Sequence, residues 1–225
     1  MKKLLLLAMI IGLTFIVTSF QTHDPTPRLY PKLETYFNSV KSEWIDTKHW
    51  QSLENLRYTL ATSQLSHEGW NLIFYCSENT FRSQVSEVFA ETLSYRKKLK
   101  RLGIHSAGLQ TGEISEKMIH YLKQVGYRIE AKMQNGSRVY EVRYADDAAP
   151  IILFSKIASD PSLPTKNISS VVVCDTITEN NCKALTTVSS PYFLGFKKAV
   201  DTDEESKITT LVNQIAAEMV YITKK

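Results

Sequence analysis

Five residues separate Cys76 from Arg82 in the stretch Leu72-Ile73-Phe74-Tyr75-Cys76-Ser77-Glu78-Asn79-Thr80-Phe81-Arg82-Ser83. The apolar and aromatic run before Cys76 predicts a strand, and Val85, Val88, Phe89 and Leu93 after Arg82 fall on one face of a predicted helix. The two reactive side chains therefore flank a tight loop between the end of a strand and the start of a helix, the place where open α/β sheets bind ligands. In such a loop successive backbone N–H groups point inward, and the positive end of the helix dipole adds to their field, so a tetrahedral oxyanion fits there. The same field favours a thiolate over a thiol, and the thiolate is the nucleophile. Cys76 would attack the central phosphorus or arsenic atom. Arg82 offers a planar fork that holds two equatorial oxygens, which a lysine does not do equivalently. Ser77, Glu78, Asn79, Thr80, Phe81, Arg82 and Ser83 then form the anion-binding loop. Ser83 can donate to the sulfur, and Asn79 can brace a backbone turn that few residues tolerate. Glu78 opposes the scheme unless it points to solvent. Without its context the spacing is common, and the bland alternative is a small thiol ending a strand with Arg82 on a wet helix face.

The elements that must hold this loop alternate. Ile104 to Ala107 predicts a second strand, Ile114 to Val125 a helix closed by Gly126, and Val139 to Tyr144 and Ile151 to Phe154 further strands, the first of them turning at Asn135-Gly136. Val171 to Val173 is a β-branched run of the kind buried in parallel sheets. Ile208, Leu211, Val212, Ile215, Met219 and Ile222 mark a last amphipathic helix. The expected class is α/β: a mainly parallel sheet with helices on both faces, over residues 70–225. Before it, residues 20–69 read as a linker, with Pro25 and Pro27, and a helical extension on which Leu33, Tyr36, Phe37 and Val40, then Trp50, Leu53, Leu56 and Leu60, take helical spacing. Such helices either cap a domain edge or form a partner-binding arm.

At these residues the sequence resembles the low-molecular-weight protein tyrosine phosphatases and their relatives, the thioredoxin-coupled arsenate reductases. Cys76, Asn79, Arg82 and Ser83 match the shared signature, and Ser106-Ala107-Gly108 matches the small-residue stretch after the first helix. The extension beginning Leu29-Tyr30-Pro31-Lys32-Leu33 resembles that of some bacterial members. The resemblance implies a low-molecular-weight phosphatase-like fold and a phosphocysteine intermediate. The expected substrate is a phosphorylated protein or a small oxyanion, and no cofactor is expected.

Two departures divide the possible activities. The family carries a late Asp-Pro whose aspartic acid protonates the leaving oxygen. Here Lys198 and Ala199 stand where it would fall, so the general acid is missing, with Asp201, Asp203 and Glu78 as candidate substitutes. Lys197 and Lys198 could attract an anion or simply form a solvated turn. In the arsenate reductases a cysteine pair seven positions apart relays electrons from the nucleophile to thioredoxin. Cys174 and Cys182 lie in that region, eight apart, and serve either as a relay needing a thioredoxin-like thiol reductant or as a static disulfide. A third class, a non-catalytic oxyanion- or phosphopeptide-binding module, follows from the missing acid.

Composition sets the remaining bounds. With 43% apolar residues, 8 Gly and 7 Pro in 225 residues, the chain is that of a packed globular protein. Lys2, Lys3 and the apolar run Leu4 to Val17 predict a signal peptide over residues 1–19, with Val17 and Ser19 small enough for a cleavage site. The run is shorter than the roughly 20 residues that span a bilayer, so export to the periplasm or outside the cell is expected, the alternative being an anchor by an uncleaved helix. The 27 Lys and Arg stand against 23 Asp and Glu, and without Lys2 and Lys3 the balance is 25 against 23, which excludes recognition of nucleic acid by charge. The basic-aromatic stretch Tyr95 to Lys100 reads as a wet helix face. His105 and His120 lie on elements other than the cysteine pair, so no metal site is expected, and no nucleotide or flavin motif is present.

Overall fold

The computed structural model describes residues 28–134, 136–177, 179–187, 191–198 and 204–224, so the leader, Pro25, Pro27, Asn135, Ala199, Asp201 and Asp203 lie outside the described residues. Two strands whose side chains are apolar on both faces form the centre: β1 (Trp70–Cys76), with Leu72, Ile73 and Phe74 at most 1% exposed, and the strand Ile168–Cys174, with Val171, Val172 and Val173 fully buried. A strand with no wet face has to sit inside a sheet covered on both sides, as parallel strands do. β1 pairs in parallel with β2 (Leu102–Gly108) on one side and with the Ile168–Cys174 strand on the other. The order of the sheet reverses at β1, which opens a crevice at its carboxyl end. Cys76 is the last residue of β1 and stands opposite Gly108, the last of β2.

Helix α3 (Arg82–Arg96) crosses from β1 to β2, and α5 (Glu205–Ile222) packs on it. The sequence gives α3 one apolar face, yet residues 82–90 and 92–94 are all buried. Two of its polar positions are enclosed because they bond locally: Ser86 Oγ donates to the Arg82 carbonyl at 2.8 Å and Thr92 Oγ1 to that of Val88 at 2.7 Å. α4 (Glu116–Val125) begins where Ser115 accepts from the Met118 N–H at 3.2 Å and ends at Gly126 with φ +119°, as the sequence predicts.

After α4 the chain departs from the parallel plan. β3 (Arg128–Gln134), β4 (Ser137–Arg143) and β5 (Ile151–Leu153) make a separate antiparallel sheet in the order β3-β4-β5. The predicted strands at 139–144 and 151–154 belong to it. β3 escapes the sequence pattern because only Ile129 of its seven residues is buried, so it shows no apolar alternation. The chain then returns through β6 (Ile168–Cys174) to the edge strand β7 (Tyr192–Phe196), which completes the parallel order β2-β1-β6-β7.

The helical extension is built into the core. α1 (Pro31–Ser39) buries Leu33 and Phe37, and α2 (Trp50–Ser63) buries Leu53, Leu56 and Leu60 against α5 and β7. Phe37 meets Phe89 of α3 edge to face at 5.5 Å. Polar ties follow the same seams: His49 Nδ1 lies 2.8 Å from Glu218 Oε1, and the Tyr36 hydroxyl donates to Asn213 Oδ1 at 3.2 Å. Both helices of the extension thus pack on the α/β domain. Trp50, placed on the apolar stripe by its spacing, is at the rim, 38% exposed and packed edge-on against Tyr221.

Candidate active site

Cys76 ends β1 and Arg82 begins α3, so the chemistry lies in the five residues between. Their carbonyls are all engaged outward. The Ser77 oxygen accepts from the N–H groups of Leu109 and Gln110, each at 3.0 Å; Glu78 O from Ser155 Oγ at 3.0 Å; Asn79 O from Gln84 Nε2 at 3.1 Å; and Thr80 O from Ser115 N–H at 3.2 Å. In a planar trans peptide the N–H opposes the C=O, so carbonyls engaged on one side leave the following N–H groups, from Glu78 to Phe81, free to turn to the other. One of them, that of Asn79, points at Cys76 Sγ at 3.2 Å.

Asn79 makes this geometry possible. It is fully buried with φ +51°, a left-handed conformation that asparagine tolerates better than most residues. Its side chain is saturated: Nδ2 donates to Ser83 Oγ and to Ser106 Oγ, each at 2.9 Å, and Oδ1 accepts from Lys156 N–H at 2.9 Å and Gln84 Nε2 at 3.0 Å. Because Ser83 Oγ accepts from Asn79, its single hydrogen is available for Cys76 Sγ, 2.9 Å away. The Asn79 N–H thus donates to the sulfur, and Ser83 Oγ is placed to donate to it when it is a thiolate. Behind them Ser106 Oγ donates to Glu87, which is buried in α3; burial pushes the Glu87 carboxyl up, opposed by the charge of Lys156 and the Ser106 bond.

Above the sulfur lies a cavity of about 230 Å³ lined by Cys76, Ser77, Glu78, Thr80, Phe81, Arg82, Gly112, Glu113, Ser115 and Lys198. Water occupies roughly 30 Å³ per molecule, so a tetrahedral oxyanion with a substituent can be accommodated. Glu78 does not oppose it from within the loop: its carboxylate turns to Lys198 Nζ at 3.1 Å at the rim, where Lys198 is 43% exposed. Glu113, which the sequence reading passed over, is the second carboxylate lining the cavity. Asp201 and Asp203, the other substitutes for the general acid, lie outside the described residues.

Arg82 is only 3% exposed. Its guanidinium is paired with both carboxylate oxygens of Glu179, Nη2 meeting Oε2 at 2.8 Å, and Nη1 also donates to the Phe196 carbonyl at 2.8 Å. Glu179 had no sequence signal beyond being one of two acids, with Asp175, between Cys174 and Cys182. Those two cysteines are joined in a disulfide, while Cys76 is unpaired and buried.

Fold and loop together place Cys76 and Arg82 around one cavity at the carboxyl end of β1. The family model of low molecular weight phosphotyrosine protein phosphatases matches residues 71–220, and the chain belongs to that family. Among solved structures it is similar to a YwlE mutant from Bacillus subtilis, at 10% identity and TM-score 0.46 over 69% of this chain and 97% of the other. It is also similar to the low molecular weight phosphotyrosine phosphatase VcLMWPTP-2 from Vibrio cholerae O395, at 14% identity and TM-score 0.39 over 69% and 92% of the two chains. A third is the thioredoxin-dependent arsenate reductase Cg_ArsC1′ from Corynebacterium glutamicum, at 16% identity and TM-score 0.37 over 84% and 78%. No curated protein matches the chain.

Proposed function

We propose that this chain is an exported cysteine-dependent phosphomonoester hydrolase that works without the usual aspartic general acid. The observation that carries the reading is Cys76 Sγ at the base of the loop, with the Asn79 N–H donating to it at 3.2 Å and Ser83 Oγ 2.9 Å away. The sulfur attacks phosphorus in line with the ester oxygen: the S–P bond forms, the P–O bond breaks and the leaving oxygen departs as an alkoxide or phenolate that takes its proton from solvent water. Water then cleaves the S–P bond, releasing inorganic phosphate and restoring the thiolate, which Ser83 stabilises as a leaving group. Arg82 and the loop amides hold the equatorial oxygens throughout, where negative charge concentrates.

Lys198 replaces the expected acid, so the first step depends on the leaving group. A general acid contributes about 10²–10⁴-fold, and p-nitrophenolate departs without one. The reduced chain should hydrolyse p-nitrophenyl phosphate and turn over phenyl phosphate at least 100-fold more slowly, a gap of the size expected for a missing acid. Cys76→Ser should do neither. Absence of p-nitrophenyl phosphate turnover from folded, reduced protein would overturn this reading.

The Cys174–Cys182 pairing supports a second reading, arsenate reduction, since a disulfide there is the product of a cysteine relay that a thioredoxin-like reductant would reopen. Arsenate-dependent loss of two thiols from the fully reduced chain distinguishes it. Phosphate binding with neither turnover identifies a binding module.

A further inference from the structure

A guanidinium carries five N–H bonds in a rigid plane. In Arg82 three are committed. Both hydrogens of Nη1 are used, one by Glu179 Oε1 and one by the Phe196 carbonyl, and Nη2 gives one to Glu179 Oε2. Among the described residues nothing accepts the remaining two, the Nε hydrogen and the second on Nη2. These are the parallel pair on the other edge of the fork. Arg82 lines the cavity and Glu179 does not, so the carboxylate lies behind the guanidinium and the open edge is the one left for an oxyanion.

Glu179 is itself held in place. Its N–H donates to Asp175 O at 2.9 Å, its carbonyl accepts from Cys182 N–H at 2.9 Å, and its Oε1 accepts from Asp175 N–H at 3.3 Å. The Cys174–Cys182 disulfide closes this loop at both ends, with Cys182 Sγ 3.8 Å from Glu179 Oε2. An extended side chain such as arginine has several rotamers, and a bidentate partner on one edge fixes which edge faces the cavity.

We propose that Glu179 is a positioning residue for Arg82, and that the Cys174–Cys182 disulfide sets the anion affinity of the site by fixing the loop that carries Glu179. The inference rests on the phosphatase reading only in requiring that the Cys76 loop bind an oxyanion. It makes the disulfide part of the binding machinery even though neither of its sulfurs touches the ligand.

The test is calorimetric binding of inorganic phosphate, with p-nitrophenyl phosphate kinetics beside it. Glu179→Gln, which leaves the disulfide intact, and the double change Cys174→Ser/Cys182→Ser should each raise the phosphate Kd about tenfold, with KM rising more than kcat falls and Glu179→Asp restoring part of the loss. In an Arg82→Ala background the same changes should have no further effect, which a general loosening of the fold would not produce. Unchanged or tighter phosphate binding in folded Glu179→Gln overturns the proposal, tighter binding making Glu179 a competitor for the fork. Failure of the wild-type chain to bind phosphate overturns the phosphatase reading itself, and this inference with it.

Discussion

Gly108 lies against the backbone of Asn79 so closely that a Cβ at Gly108 would stand 2.8 Å from the Asn79 nitrogen. The same Cβ would meet the Gln110 carbonyl oxygen at 2.6 Å and the Glu78 carbonyl carbon at 2.9 Å. All three obstacles are backbone, and the end of β2 is therefore the wall against which the anion loop is pressed. Gly108→Ala should cost about 1–3 kcal/mol of stability through overpacking and weaken phosphate binding, because the displaced backbone carries the N–H groups. Urea unfolding and phosphate titration of the same variant measure both.

Asn79→Ala removes four side-chain hydrogen bonds, leaves the Lys156 N–H without its acceptor, and asks alanine to hold a left-handed backbone. The expected loss is about 3 kcal/mol. Asn79→Gly relieves the backbone strain but not the lost bonds, so its stability should fall between alanine and the native residue. Equal stability of the two variants would show that conformation contributes nothing here.

Glu218 is fully buried, and burial raises its carboxyl pKa against the opposing hydrogen bond from His49. His49→Ala takes away that partner and should cost about 3 kcal/mol, the scale seen when a buried polar pair loses one member. Since His49 belongs to the extension and Glu218 to α5, a cost near zero would mean that the extension is not fastened there.

Glu91 on α3 has its carboxyl pushed up to about 7, by burial first and by neighbouring Glu87 second. Above that pH the folded chain must ionise a half-buried group that the unfolded chain ionises readily, so Glu91 withdraws stability as pH rises from about 4.5 through 7. Glu91→Gln avoids the penalty. Its stability relative to wild type should improve by about 3 kcal/mol between pH 4 and pH 8, read from urea unfolding at both. A difference independent of pH would refute the assignment.

The loop was legible because its chemistry is local. Cys76, Asn79, Arg82 and Ser83 are brought together by one strand, one turn and one helix, and that spacing is written in consecutive residues. Glu179 was not legible, because its partner is 97 residues away and its own surroundings carry no pattern that points to Arg82. The same holds for Glu87, which looks like a polar residue on a helix until Ser106 and Lys156 enclose it. β3 was hidden for another reason: an exposed edge strand has no buried face to leave a period in the sequence.

The ties that fasten the extension run nearly the length of the chain: Tyr36 to Asn213 spans 177 positions and His49 to Glu218 spans 169. Contacts this distant in sequence are costly to close and slow a chain's search for its native state. More directly, α1 can meet α3 through Phe37 and Phe89 early, but the seams that Tyr36 and His49 close wait for the last helix. The fastening of the extension to α5 is therefore a late event, made only once both ends of the chain are present.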